Sequence, residues 1–226
     1  MKQRTPLKQR TLPDYTIGEE RMNYISHIAG AAFGVVALIL CVVRSALHGT
    51  AWDVVGSAIY GVSLIALYTM SGVYHALRPG TAKLVLQVLD HCTIYLLIGG
   101  SYTPILFSAI RHVSPVWCWV IFGIVWGLAV FATVFTAIDL DKYATLSMVC
   151  YIGMGWCIVM AMKVCLAAMP LAGFWYLLAG GIAYTVGAVL YGLGGKHRYM
   201  HSVFHLFVLL GSFLQFITIY CYVLPH

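Results

Sequence analysis

Seven long apolar stretches alternate with short polar connections along this chain. The stretches cover residues 25–43, 54–76, 84–107, 116–138, 144–163, 171–191 and 200–223. A helix needs roughly 20 apolar residues to cross the hydrocarbon core of a bilayer, and each stretch is close to that length. The pattern predicts an all-α polytopic membrane protein. Its seven-helix transmembrane bundle would occupy residues 23–226, after a short basic tail at residues 1–22.

The composition agrees with this fold class and excludes several others. Of the 226 residues, 62% are apolar and 9% are charged, whereas soluble chains are about half apolar and a quarter charged. This excludes an ordinary soluble enzyme and a disordered protein. The net charge of +6 does not indicate a nucleic-acid partner, because five basic residues cluster before the first apolar stretch, where they act as a topology signal. These residues are Lys2, Arg4, Lys8, Arg10 and Arg21.

Lysine and arginine in the connections predict the orientation. If the N-terminus is cytosolic, ten basic residues lie on the cytosolic side, and only Arg44, Arg111 and Lys163 lie on the other side. Short cytosolic loops carry the excess of lysine and arginine. We therefore expect a multi-pass protein of the plasma (inner) membrane, with a cytosolic N-terminus and an external C-terminus.

The cysteines do not predict a disulfide framework. They are odd in number, lie mostly inside apolar stretches and form no pair at zinc-finger spacing. Cysteines of this kind usually act as small hydrophobic core residues.

Polar residues within or beside the predicted spans gather at one depth, in the cytosolic half. They are Glu20, Asn23, His27, Ser71, His75, Asp90, His91, His201 and His205. Ionisable groups inside a membrane are costly, usually face the bundle interior and by default mark a functional site.

Three of these histidines predict a metal site. His201 and His205 are four residues apart and therefore share one face of the last helix. Together with His75 they match the composition of a catalytic zinc site, in which three protein ligands leave a fourth position for water. We therefore expect Zn²⁺ to be held by these three imidazoles near the cytosolic surface.

Asp90 and Ser71 are the candidate catalytic residues. Asp90 would either orient and deprotonate the water or act as a fourth ligand; alternatively, it caps the third helix or pairs with Lys83. Ser71 lies one turn before the histidine of its helix, where it would donate a hydrogen bond to a ligand or to Asp90.

Four further residues are expected to support this site. His27 and His91 are interpreted as hydrogen-bonded supports. Glu20 and Asn23 either cap the first helix in solvent or reach under the bundle to brace the site.

Small residues and a proline indicate helix packing. Gly30-x-x-x-Gly34 and Gly123-x-x-x-Gly127 would allow close helix approach. Pro104 would kink the third helix.

Together, the motifs resemble the progestin and adipoQ receptor family. In chain order they are Glu20-x-x-Asn23-x-x-x-His27, Ser71-x-x-x-His75, Asp90 and His201-x-x-x-His205. Asp90-His91, the short N-terminus and the run from Tyr95 to Pro104 are similar to its bacterial hemolysin III branch. The resemblance begins near residue 18. It implies seven helices, a cytosolic N-terminus, a zinc ion held by the three histidines, and Ser71 and Asp90 around the metal-bound water.

The chain departs from the animal receptors at two points. Those receptors follow the aspartate with tyrosine, where this chain has His91, and they carry a longer cytosolic N-terminal region. We therefore do not expect hormone recognition.

Three functions remain open from the sequence. The first is a zinc-dependent intramembrane hydrolase of a lipid amide or ester, ceramidase-like by family analogy. The second is a non-enzymatic sensor of membrane state, in which zinc is structural and a fatty acid shifts the bundle. The third is a pore-forming hemolysin. Polar residues confined to one leaflet argue against it, because a conduction path needs polar groups through the full thickness.

Overall fold

The computed structural model of this protein describes residue 6, residues 10–194 and residues 197–225. In this part of the chain, seven helices are long and apolar enough to cross a membrane. They are α1 (Ile17–His48), α2 (Ala51–Ala76), α3 (Thr81–Val113), α4 (Pro115–Ile138), α5 (Ala144–Ala168), α6 (Leu171–Leu193) and α7 (Met200–Val223). The predicted seven-helix bundle is confirmed.

The first helix begins earlier than the hydrophobic pattern indicates. Thr16 caps α1 through a reciprocal pair of hydrogen bonds with Glu19, so residues 17–22 of the predicted tail form the first turns of the helix. The capping motif is polar and precedes the apolar stretch, so hydropathy alone does not predict that the helix begins there. The predicted tail residues Lys2, Arg4 and Lys8, and Lys196 in the last connection, lie outside the described residues.

Helix α3 occupies the centre of the bundle. In its most apolar 18-residue window 72% of the residues are buried, compared with 17–50% in the other six helices. Helix α2 packs between α1 and α3, α4 packs on α3, and α6 packs along α7, which closes the bundle against α1. This arrangement brings the N-terminal ends of α1, α3 and α7 and the C-terminal end of α2 around one region.

The first glycine pair makes a close helix contact and the second does not. A Cβ atom built on Gly30 would lie 2.4 Å from the ring of Tyr68 on α2, so only glycine allows this approach. A Cβ atom built on Gly123 or Gly127 would meet no atom of another helix within 4 Å in the described part of the chain. They lie on the exposed face of α4, so the close approach expected there is not made within this chain.

Two central helices change their winding. A π-helical segment, Leu106–Ile110, follows Pro104 in α3, and a 3₁₀ segment, Cys157–Ala161, interrupts α5. The Tyr102 hydroxyl donates to the carbonyl of Gly155 at 2.8 Å. This bond ties the interruption of α5 to α3, beside the interior cavity described below.

Several interior hydroxyls pair with one another, and the outside of the bundle is apolar. The hydroxyls of Tyr68 and Tyr184 lie 2.7 and 2.8 Å from Ser212 Oγ. All seven cysteines are free thiols, and five of them are buried. Large aliphatic and aromatic side chains are exposed along most of the helices, which is the surface that a bilayer requires.

Candidate metal centre

The start of α7 determines where its two histidines lie. Tyr199, the residue before the helix, adopts a left-handed conformation with φ 62°, which is uncommon outside glycine. Its N–H donates to Glu19 Oε1 at 2.7 Å, while Glu19 Oε2 accepts from the N–H of Thr16 at 2.8 Å. One carboxylate therefore joins the first turns of α1 and α7, and His201 follows as the second residue of α7.

Three imidazoles from two helices converge. His75 on α2 and His201 and His205 on α7 each offer a ring nitrogen, and the three atoms lie within 4.8 Å of one another. His201 Nε2 is 3.2 Å from His75 Nε2 and 3.0 Å from His205 Nε2. Nitrogens bound tetrahedrally to zinc at about 2.0–2.1 Å lie about 3.3–3.4 Å apart. The spacing is therefore close to that of a three-histidine metal site.

Hydrogen bonding alone does not satisfy these three nitrogens. Glu20 Oε2 lies 2.6 Å from His75 Nδ1, so a neutral His75 donates there and turns the lone pair of its Nε2 toward His201. A neutral imidazole has only one N–H. A single proton on His201 Nε2 cannot make a hydrogen bond both to His75 Nε2 and to His205 Nε2. A single cation among the three rings would satisfy all of them, so the donor set fits a metal ion.

Helix α1 braces this group from beneath. Glu20 bridges His75 and Lys83, whose Nζ lies 2.6 Å from Glu20 Oε1. Asn23 is fully buried, and its Oδ1 accepts from Ser202 on α7 at 2.6 Å. The sequence left two roles open for Glu20 and Asn23. In the structure both side chains reach under the bundle and contact residues around the histidine group.

An apolar cavity of about 150 Å³ opens beside the histidines. Asp90, Ser71, His91 and both histidines of α7 border it, and its walls come from α3, α5, α6 and α7. It reaches Gln215, ten residues beyond His205, a distance of roughly 15 Å along a helix. Most of the remaining wall is apolar, including Leu97, Ile98, Ile152, Phe204 and Val208.

Asp90 and Ser71 form one pair at the wall of this cavity. The Ser71 hydroxyl lies near the Asp90 carboxylate, and the imidazoles of His91 and His75 are close by. Lys83, the alternative partner considered for Asp90, bonds to Glu20 and to the carbonyl of Leu77 instead. The carboxylate and the hydroxyl border the same cavity as His201 and His205.

Residues 15–216 match a family model described as haemolysin-III related. This range contains every residue of the histidine group and of its α1 brace. The chain belongs to the haemolysin III-related family, a branch of the progestin and adipoQ receptor family. As a member, it is a multi-pass membrane protein.

Named relatives of this haemolysin III-related chain are bacterial and animal. It is 39% identical over 209 residues to Hemolysin-3 of Bacillus cereus, covering 92% of this chain and 94% of that protein. It is 36% identical over 213 residues to the Hemolysin-3 homolog of Bacillus subtilis (strain 168), with 93% and 98% coverage. It is 26% identical over 235 residues to the human monocyte to macrophage differentiation factor, with 98% and 91% coverage.

His27 and His91 sit beside the centre in different ways. His27 stacks on His205, with ring centroids 3.7 Å apart and planes at 14°. Both of its ring nitrogens lack a hydrogen-bond partner among the described residues, so it differs from the hydrogen-bonded support expected. His91 Nδ1 lies 2.8 Å from the carbonyl of Gln87 in its own helix.

Sequence reasoning missed other members of this haemolysin III-related site. Glu19 and Ser202 join α1 to α7, and Tyr15 lies over the histidines from the N-terminal side. Ser202 follows directly after His201, so its position offered a weak signal. Tyr15 lies ahead of every apolar stretch, and no periodicity connects it to α7.

Proposed function

We propose that this protein is a zinc-dependent hydrolase that cleaves an amide or ester bond of a membrane lipid. One observation carries the proposal: two histidines of the metal group, a carboxylate and a hydroxyl border the same cavity, and the rest of that cavity is mainly apolar. A lipid that brings a carbonyl to this group can place its hydrocarbon chain against the apolar wall.

Zinc is the proposed ion because three imidazole nitrogens with a free fourth position are its usual catalytic ligand set. The separations of 3.0 and 3.2 Å between ring nitrogens are consistent with it. When bound, zinc would supply Lewis-acid chemistry, polarising a carbonyl and lowering the pKa of water toward neutrality.

The side chains around the histidines would divide the remaining work. Asp90 accepts a proton from the attacking water and passes it to the nitrogen or oxygen of the leaving group as the amide or ester bond breaks, and Ser71 holds the Asp90 carboxylate in orientation. Glu20 accepts a hydrogen bond from the Nδ1–H of His75, which keeps the lone pair of His75 Nε2 available to the ion. The apolar wall takes the acyl chain and excludes bulk water.

We further propose a cytosolic N-terminus and a plasma-membrane location. Among the described residues, Arg21, Arg78, Lys83 and Lys142 lie at the membrane face that carries the histidine group, whereas Arg44, Arg111 and Lys163 lie at the opposite face. Arg10 and Arg198 add to the first face. This bias supports placing the metal centre in the cytosolic leaflet.

The test is turnover by purified full-length protein in lipid nanodiscs. A panel of lipid amides and esters is incubated with wild type, with Asp90→Asn and with His205→Ala, and released fatty acid is quantified by mass spectrometry. General-base catalysis contributes about 10²–10⁴ in rate, so Asp90→Asn should lose at least about a hundredfold while keeping its metal. Asp53→Asn is the matched control, because Asp53 is also buried but caps α2 at the opposite membrane face. Absence of a zinc-dependent product from every lipid class would refute the hydrolase.

The second candidate is a non-enzymatic sensor whose metal is structural. The observation that favours it is the joining of three helices at one place: His75 belongs to α2, His201 and His205 to α7, and Asn23 of α1 bonds to α7. In that case chelation lowers the melting temperature strongly, and Asp90→Asn retains the cellular effect of the wild type. Loss of that effect in a folded, metal-loaded Asp90→Asn variant argues for the hydrolase.

A further inference from the structure

His75, His201 and His205 differ in what their Nδ1 atom contacts, the ring nitrogen that does not face the other two histidines. Metal-binding histidines almost always donate the other ring N–H to a carboxylate, carbonyl or water. His75 Nδ1 has Glu20 at 2.6 Å. The backbone carbonyl of Asn23 lies near the His205 imidazole, but His205 Nδ1 makes no hydrogen bond within the described part of the chain. His201 Nδ1 is buried and has no partner among the described residues.

Aromatic rings surround the His201 imidazole instead. Tyr15 stacks on it with ring centroids 5.0 Å apart and planes at 18°, the most nearly parallel of its ring contacts. Tyr191 contacts the same imidazole at 5.3 Å and 56°. Stacked pairs at such separations are favourable and restrict ring orientation, so Tyr15 limits rotation of His201 where a hydrogen bond does not.

Tyr15 is carried by a segment that is anchored on both sides. We refer to residues 10–16 as the N-terminal strap. At one end the buried Arg10 donates to the carbonyl of Ile138, the last residue of α4, at 3.0 Å. At the other end Arg198, just before α7, donates to the carbonyl of Asp14 at 3.0 Å. The strap therefore crosses the cytosol-facing end of the bundle between α4 and α7.

Tyr15 is partly buried by this path. Its ring contacts the His201 imidazole from outside the histidine group. Its centroid also lies 5.9 Å from that of His75, which puts it against ligands from both helices.

We propose that Tyr15 is a positioning residue of the metal centre, whose ring holds the His201 imidazole with Nε2 directed at the other two histidines. The stacking replaces the hydrogen bond that His201 Nδ1 lacks, and the N-terminal strap thereby becomes part of the site. This inference rests on the proposed metal site, but it does not depend on hydrolysis.

The test compares metal binding by purified full-length variants in detergent. Zn²⁺ affinity is measured by competition with a chromophoric chelator, and the Co²⁺-loaded protein is examined by visible absorption, which reports ligand geometry. Loss of a residue that orients a metal ligand typically costs 10–100-fold in metal affinity. We expect a loss of about tenfold or more in Tyr15→Leu, with an altered Co²⁺ spectrum, and wild-type behaviour in Tyr15→Phe, which keeps the ring. Tyr24→Leu is the matched control, since Tyr24 is a half-buried tyrosine of α1 without a ring contact to these histidines among the described residues.

Each outcome decides the matter. Wild-type affinity and spectrum in Tyr15→Leu overturn the inference while leaving the proposed function intact. Equal loss in Tyr15→Phe and Tyr15→Leu also overturns it, because the hydroxyl would then be the relevant group. A wild-type protein that binds neither ion overturns both proposals together. If Tyr15→Leu does not fold, Tyr15→Met serves as the non-aromatic variant under the same criteria.

Discussion

Replacing Glu20 with glutamine removes the carboxylate that joins His75 to Lys83. Both contacts are 2.6 Å long, one from His75 Nδ1 to Oε2 and one from Lys83 Nζ to Oε1. Glutamine has the same shape but presents a single accepting oxygen and no charge. The variant can therefore accept from only one of the two donors, and the other is left facing an amide NH₂ group.

The size of the stability loss depends on how much of the Glu20–Lys83 ion pair is removed from solvent. The Lys83 side chain is 5% exposed and that of Glu20 is 20% exposed. Removing one partner of a fully buried pair costs about 3–5 kcal/mol, whereas exposed pairs contribute about 0–1 kcal/mol. Lys83 also keeps its bond to the carbonyl of Leu77 at 2.9 Å. An intermediate loss of about 2 kcal/mol is expected.

Metal affinity should fall as well, because the carboxylate no longer selects the tautomer of His75. Loss of such an outer partner typically costs about 10–100-fold. Stability is measured by thermal unfolding in detergent with excess chelator, which removes any contribution from bound metal. Affinity is measured separately by chelator competition.

Asp53→Asn is the matched control for this experiment. Asp53 is also a buried carboxylate, but it bonds to Thr50 at the opposite end of the bundle rather than to a histidine. We expect both variants to lose stability and only Glu20→Gln to lose metal affinity. Adding Lys83→Met to Glu20→Gln should recover stability but not affinity. Unchanged affinity in Glu20→Gln, or an equal loss in Asp53→Asn, would refute the role assigned to Glu20.

Two further predictions concern the metal and the helix packing. Chelation should lower the melting temperature of the wild type and leave that of His201→Ala unchanged, because the variant has lost a ligand; equal shifts in both would place the bound metal elsewhere. Gly30→Ala should destabilise the protein by about 1–3 kcal/mol through overpacking, since its Cβ would lie 2.4 Å from the Tyr68 ring. The exposed Gly123→Ala should change stability by less than about 0.5 kcal/mol. Thermal unfolding of the two glycine variants side by side checks this, and equal effects would contradict the packing of α1 on α2.

The part of the candidate site that lies within one helix could be predicted from the sequence, because the geometry of a helix depends only on local spacing. His201 and His205 share a face because a helix repeats every 3.6 residues, and their pairing needs no knowledge of the rest of the fold. That His75 reaches them from α2 was a hypothesis based on shared depth, and the structure brings the three rings together. The pairing of Lys83 with Glu20 rather than with Asp90 was not predictable, because both carboxylates lie at the same depth.

The amino-acid sequence by itself determined the seven spans and the leaflet in which the polar residues gather. Each crossing of the hydrocarbon core needs about 20 apolar residues, and an unpaired charge inside it is costly. The spans and the depth of the polar residues can therefore be identified from each segment separately. Which rings face one another was decided only by the tertiary structure. Tyr15 meets His201 across 186 positions of sequence, because the strap is tied to α4 and α7 by backbone carbonyls that any residue could offer. Contacts between residues so far apart in the sequence depend on how the helices are placed in space, and no local sequence pattern predicts them.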